Sequence, residues 1–197
     1  MSLVKLPLSV VKIGGSLFDH PRLGPGLREW IANQKERRFL FVPGGGALAD
    51  VVRAYQLTHG LSADTCHWLA IQTMTVNARL IRSFLPDCCE VNHPLNSFNS
   101  ARTAILDAFA FSRSDDGDAN ALPHGWEVTS DSIAARAAEV GKAQQLVLLK
   151  STDLPIGIDW FEAARLGLVD PIFHEIVKRA EISVEWVNLR ANSEPRP

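Results

Sequence analysis

Apolar residues fall in short unbroken runs along this chain, and polar residues gather between the runs. Leu8 to Ile13 (LSVVKI) is β-branched and closed by Gly14-Gly15, which predicts a buried strand. Phe39 to Val42 (FLFV), closed by Pro43-Gly44-Gly45-Gly46, and Leu146 to Leu149 (LVLL), closed by Lys150, repeat that form. Cys88 to Val91 and Ile182 to Leu189 predict two more strands, and Ile105 to Phe111 fits a strand or a helix. The stretches between them carry helical periodicity. Leu27 to Arg37 puts Leu27, Trp30 and Ile31 on one face, and Ala47 to Leu57 spaces Leu48, Val51, Val52 and Tyr55 as a helix would. Thr65 to Phe84 predicts a longer helix that stops before Pro86. Ser130 or Asp131 caps a helix reaching Val140, and Phe161 to Leu166 and Pro171 to Arg179 predict short ones. Ser114 to Asn120 (SDDGDAN) reads as an exposed, solvated loop, and residues 191–197 as a frayed tail after a single domain spanning 1–190.

Strands alternating with helices predict an α/β fold, a three-layer sandwich around a mostly parallel sheet buried on both faces. Composition agrees. The 197 residues are 46% hydrophobic and 21% charged, enough for one well-buried core and unlike a disordered chain. A net charge of −2 gives no basic field for nucleic acid or a membrane surface. No apolar run approaches the roughly 20 residues of a membrane span, and no signal-peptide core opens the chain. Cys66, Cys88 and Cys89 form neither a disulfide framework nor a paired zinc motif, so no metal site is assigned and a reducing, cytoplasmic setting is expected.

In such folds ligands gather at the carboxyl ends of the strands. Three of those ends are unusual: Lys12-Ile13-Gly14-Gly15-Ser16, Pro43-Gly44-Gly45-Gly46 and Lys150-Ser151-Thr152-Asp153. Glycine turns let backbone amides approach an anion, a following helix adds its dipole, and lysine supplies a mobile positive charge for phosphate. Asp131, in Thr129-Ser130-Asp131, is a helix cap by motif; a carboxylate between two lysines would also fix both and keep both charged. The Walker pattern is absent. Gly44-Gly45-Gly46-Ala47-Leu48-Ala49 matches a loose dinucleotide fingerprint, but the acidic residue about 20 positions on, Asp64, opens a helix instead of closing a strand.

Taken in order, V-K-I-G-G-S, P-G-G-G, T-S-D-S-I-A-A and L-L-K-S-T-D resemble the amino acid kinase superfamily over about Leu8 to Asp153. The segment from Leu122 to Asp131 (LPHGWEVTSD) is most similar to the small branch containing the aminomethylfuran phosphate kinase of methanofuran biosynthesis. The resemblance implies ATP-dependent phosphoryl transfer with Mg²⁺. In it Lys12 contacts the transferred group, Lys150 the leaving phosphate, and Asp131 organises both. Gly14, Gly15 and Ser16 would hold nucleotide phosphates, and Gly44, Gly45 and Gly46 the acceptor and moving phosphoryl. Thr129, Ser130 and Asp153 would complete the phosphate site. The superfamily also implies a homodimer or larger assembly.

The resemblance also implies a small-molecule acceptor, with a phosphate monoester such as an aminomethylfuran methyl phosphate as one candidate. Asp50 and Arg53, one helical turn apart, either face it or form a solvent-facing ion pair. His93 and Asn96 to Asn99 read as a polar loop, with an acceptor contact as the alternative. His174 reads as a helix-surface residue, and Trp126, Trp160 and Trp186 as core or interface anchors. Two departures stand out. Only residues 151–197 follow Lys150, which predicts an abbreviated nucleotide half, and Ser151-Thr152-Asp153-Leu154-Pro155 lacks the glycine of the family's T-D-V-D-G. A binding or storage protein holding a nucleotide or oxyanion on the same fold is therefore the alternative to a kinase.

Overall fold

The computed structural model describes residues 6–34, 37–96 and 101–191. Among them six strands form one sheet: β1 (Leu8–Ile13), β2 (Arg38–Pro43), β3 (Cys89–Val91), β4 (Thr103–Leu106), β5 (Gln145–Lys150) and β6 (Ser183–Asn188). Their spatial order is β3-β4-β2-β1-β5-β6 and every pairing is parallel. The helices are α1 (Leu23–Asn33), α2 (Ala47–His59), α3 (Ala63–Phe84), α4 (Ala108–Asp115), α5 (Ser130–Val140), α6 (Trp160–Arg165) and α7 (Phe173–Ala180). A short 3-10 turn, Gly15–Leu17, follows β1.

The apolar runs predicted the central strands because both sheet faces are covered. On one face Val10, Leu40, Leu146 and Leu148 pack with Ile133, Ala134 and Ala137 of α5. On the other Val11, Ile13, Phe39, Phe41 and Leu149 pack with Leu23, Leu27 and Trp30 of α1. Trp30 meets Phe39 edge to face with centroids 5.3 Å apart. Each such large side chain contributes about 1.5–3 kcal/mol on burial. Helix α3 joins both layers, giving Ile71 and Met74 to the first and Ala78 and Ile81 to the second. Burial pushes the Cys88 thiol up to about 12, so it is an inert core group.

Several expectations change. The ambiguous stretch is both elements in turn: β4 ends at Leu106, and Asp107 caps α4 by accepting from the amides of Phe109 and Ala110. Helix α1 lies earlier than its predicted window, at Leu23–Asn33. Thr129, not Ser130 or Asp131, caps α5. On α2 only Val52 of the predicted apolar set is buried, while Leu48, Val51 and Tyr55 are exposed, so that stripe is not a core face. The acidic loop is anchored as well as solvated: Arg136 grips Asp115 through two 2.8 Å bonds and reaches Asp118 and Glu139 at 2.8 Å. Residues 97–99 of the candidate acceptor loop and 192–197 of the expected tail lie outside the described residues.

Candidate active site

The sheet register brings the two lysines together. Lys12 of β1 pairs with Leu148 of β5, and Lys150 lies two residues further along β5, on the same sheet face. Helix α5 packs over that face and its first turn carries Asp131. Lys12 Nζ lies 2.9 Å from Asp131 Oδ1, and Lys150 Nζ donates to Oδ2 at 3.0 Å. All three side chains are 5–12% exposed. Burial opposes the Asp131 carboxylate, but the adjacent Lys12 and Lys150 charges outweigh it and hold its pKa below the usual range. For Lys150, burial and the like charge of Lys12 win over Asp131 and lower the ammonium pKa to about 8. Lys150 also donates to the Leu168 carbonyl at 2.7 Å and lies 5.1 Å from the centre of the Trp186 ring.

The glycine turns touch each other, and this explains their composition. A Cβ on Gly15 would stand 2.8 Å from Gly46 N, and one on Gly44 would stand 2.8 Å from Gly15 N. Gly46 also has a positive φ of 56° and precedes α2 with no side-chain cap. Asn77, buried on α3, fixes the second turn by donating to the carbonyls of Gly44 and Gly45 at 2.7 and 2.9 Å. The turns offer fewer amides than the sequence suggested. Gly14 N–H is bound to the Leu149 carbonyl and Gly44 N–H to the Ile13 carbonyl, both at 2.8 Å. These two glycines join strand ends, and Gly15, Gly45 and Gly46 keep amides without a backbone partner.

A cavity of about 550 Å³ opens beside the turns. Gly15, Ser16, Gly45 and Gly46 line it together with Thr129 and Ser130. Ile71, Met74, Val128 and Ile133 give it an apolar floor. Asp50 and Arg53 line it while remaining half or more exposed, with Arg53 Nη1 3.5 Å from Asp50 Oδ1. The charged cluster borders the cavity through Ser130, although Lys12, Asp131 and Lys150 are not in its lining. Trp126, expected as a core or interface anchor, is half-buried and lines the cavity. Its Nε1 donates to Gln56 Oε1 at 2.7 Å, and the Arg53 guanidinium lies 4.4 Å from its ring centre.

The segment carrying Trp126 is tethered by His124, whose ring nitrogens each lie 2.6 Å from a carboxylate, Asp64 on α3 and Asp116 after α4. Burial opposes the charge, but the two carboxylates outweigh it and raise the His124 pKa. His67 stacks on it at 4.7 Å, lines the cavity, and is held towards the neutral form first by burial.

Other candidates fall elsewhere. Asp153 accepts from Asn188 Nδ2 at 3.0 Å near β6, off the cavity lining. Ser16 meets Ser151, Oγ to Oγ at 2.8 Å. The Thr129 hydroxyl is committed to Asp170 at 2.8 Å. His93 accepts from the Leu95 amide and packs on Phe111, and His174 is a half-buried residue of α7 held to the Pro171 carbonyl. Trp160 packs on Phe173, and Trp186 donates to the Thr152 carbonyl. Sequence reading missed Asn77, His67, Gln56 and Asp170. For Asn77 a signal existed, a polar side chain on the inner face of an otherwise apolar helix.

Comparison with known proteins gives these geometries a context. A model of the amino acid kinase family matches residues 7–153. A [5-(aminomethyl)furan-3-yl]methyl phosphate kinase of Methanocaldococcus jannaschii is 25% identical over 93% of this chain and 88% of its own. Among solved structures, uridylate kinase from Archaeoglobus fulgidus matches with a TM-score of 0.61 at 16% identity, covering 92% of this chain and 90% of that one. UMP kinase from Bacillus anthracis gives 0.64 at 12% identity, over 96% and 89%. Aspartate kinase from Synechocystis gives 0.60 at 14% identity over 91% of this chain, which spans 38% of that one.

Proposed function

The chain belongs to the amino acid kinase family and is a phosphotransferase, and we propose that it moves the γ-phosphoryl group of ATP onto the phosphate of a small monoester of the aminomethylfuran methyl phosphate kind. The observation that carries this reading is the buried cluster of Lys12, Asp131 and Lys150 beside two touching glycine turns. Simple anion binding needs cationic groups; it does not need two amines fixed on one carboxylate.

Phosphoryl transfer calls for positioning and charge stabilisation. Lys12 sits where it can follow the transferred group, and Lys150 neutralises charge on the departing ADP. The unpaired amides of Gly15, Gly45 and Gly46 and the open start of α2 hold phosphate oxygens. The crowding at Gly15, whose Cβ would stand 2.8 Å from Gly46 N, keeps the two turns and their unpaired amides side by side. Mg²⁺ arriving with ATP would supply further charge neutralisation. An oxygen of the acceptor phosphate attacks the γ-phosphorus, the bond to the β,γ-bridging oxygen breaks, and ADP leaves with its electron pair. The product is a diphosphate monoester. A dianionic phosphate acceptor has no proton to remove, which suits a site whose central carboxylate is engaged by two lysines.

The cavity beside the cluster is the acceptor pocket. Arg53 clamps an anionic group, Trp126 covers a flat ring, and Asp50 balances a cationic amine. The free thiols support a cytoplasmic setting, and no described helix is long and apolar enough to cross a membrane. The exposed Leu48, Val51, Tyr55 and Leu57 of α2 support self-association.

The test is turnover of Mg-ATP with the aminomethylfuran methyl phosphate, UMP and aspartate as acceptors. ADP release and a diphosphate ³¹P signal are expected with the furan phosphate alone. ATP binding with no acceptor raising ADP above background would overturn the kinase reading in favour of storage. Turnover with another acceptor would overturn the furan assignment.

A further inference from the structure

We propose that Asp170 is a positioning residue that sets where Asp131 stands between Lys12 and Lys150. Asp170 is 4% exposed and lies in the loop before α7. Its Oδ2 accepts from Thr129 N at 2.9 Å, Thr129 Oγ1 at 2.8 Å and Ser132 N at 3.0 Å. Its Oδ1 accepts from Phe173 N at 3.1 Å and from the Ser132 hydroxyl. The gripped residues, the cap of α5 and a residue of its first turn, therefore flank Asp131 on both sides in sequence. A carboxylate has about four lone-pair sites, so five donors saturate it. Its charge also complements the N-terminal dipoles of α5 and α7.

The same short loop holds the other partner of the ion pair. Leu168, two residues before Asp170, accepts the Lys150 ammonium through its carbonyl at 2.7 Å. Residues 168–170 thus grip Lys150 at one end and the turn bearing its counter-ion at the other. Displacing Asp170 moves Asp131 relative to Lys150 without removing any group that meets a phosphate.

The consequence is electrostatic as well as geometric. The charged groups around the Lys150 ammonium are Lys12 from β1 and Asp131 from α5, with the Trp186 ring from β6 and the Leu168 carbonyl completing its surroundings. Asp131 is the group that keeps Lys150 protonated against burial and Lys12. When Asp131 drifts away, Lys150 loses its proton at lower pH.

Asp170→Asn keeps the size of the side chain and removes its charge and part of its accepting capacity. Two readouts test it. The kinetic arm rests on the phosphotransfer reading above: kcat falls on the order of 10- to 100-fold, the size of a lost hydrogen bond to a charged group. Acceptor KM stays within about twofold, as expected when ground-state binding is untouched, and the alkaline limb of the kcat profile moves to lower pH. The second arm needs no activity. It follows the pH titration of Trp186 fluorescence, taken as the component that Trp186→Phe removes, and its midpoint shifts down in Asp170→Asn. Leu27→Ala, a core change on the opposite sheet face, lowers stability and leaves both midpoints in place. An Asp170→Asn protein that folds and keeps the wild-type midpoint overturns the proposal. Should that variant fail to fold by circular dichroism, Ser132→Ala decides. It removes one donor to Asp170 and is expected to give a smaller shift of the same sign, and no shift there overturns the idea equally. Absence of turnover in the wild type sinks the kinase reading alone, because the fluorescence arm still reports on Asp170.

Discussion

Lys150 reaches Asp131 from the end of the neighbouring strand and donates to its Oδ2 at 3.0 Å, while Lys12 occupies the other oxygen. Because both amines share one carboxylate, each feels the other's charge. Burial and the Lys12 charge loosen the Lys150 proton, and a pH dependence follows.

With the Lys150 pKa lowered to about 8, first by burial and then by Lys12, its ammonium is intact below that value and lost above it. The kcat profile is therefore flat on the neutral side and falls as pH rises through about 8. Lys150→Arg keeps its charge throughout and removes this limb, whatever it does to the plateau. A limb that survives the substitution unchanged belongs to another group.

Under the proposed function Lys12→Ala removes the charge that follows the transferred group. A loss of about 10²–10³ in kcat, or about 2.7–4 kcal/mol, is expected, by analogy with deleting one oxyanion donor. Circular dichroism and the thermal midpoint show whether the fold is kept. Unchanged turnover would remove Lys12 from the mechanism.

Arg53 and Trp126 stack on each other in the cavity proposed to take the acceptor. Arg53→Ala and Trp126→Ala each raise acceptor KM about tenfold or more, equivalent to about 1.4 kcal/mol. The KM for ATP stays the same. Titration calorimetry with each substrate separately makes the distinction, and equal losses for both would mean the cavity is not an acceptor pocket.

Gly15→Ala places a methyl group 2.8 Å from Gly46 N, and that neighbour is backbone. The two turns must separate, at a cost of about 1–3 kcal/mol. A lower thermal midpoint and weaker ATP binding are expected together. Gly60→Ala is the contrast: nothing lies within 4 Å of its Cβ position, although its φ of 64° is strained for alanine, so stability falls there while ATP binding holds.

His124 ties the Trp126 segment to α3 by charge. Its folded pKa is raised by Asp64 and Asp116 over the opposing effect of burial. A raised histidine contributes stability that is complete below its ordinary pKa of 6.5 and lost as pH rises through the folded value. Thermal midpoints measured across that window should decline for the wild type and show a weaker slope for His124→Gln. Equal slopes would mean the tether does not depend on the imidazolium.

How far the sequence carried this picture depended on the range of each signal. Unbroken apolar runs such as LVLL predicted central strands because burial on both faces leaves no polar alternation. The motif order placed Lys12, Asp131 and Lys150 in one family pattern, and the sheet register brings them together. What was illegible was long-range. Gly14 and Gly44 read as amide donors, but each amide closes a bond to a strand distant in sequence. The apolar spacing of α2 predicted a helix but not which of its side chains are covered, and only Val52 of that set is buried. Asp170 gave no local signal, since its partners lie on α5 and at the start of α7. Trp126 looked like generic filling because its cavity exists only once α2, α3 and the segment before α5 come together.

The parallel ladder between β1 and β5 has one more consequence. Side-chain direction along a strand flips with every residue. A single-residue deletion inside either strand would turn one lysine to the α1 side of the sheet and leave Asp131 facing a lone amine. Deletions in the connecting loops carry no such penalty. Tolerance to indels should therefore drop sharply within the two strands, so that a deletion scan would trace the chemistry of this protein through its backbone pairing, several residues before reaching any group that meets a phosphate.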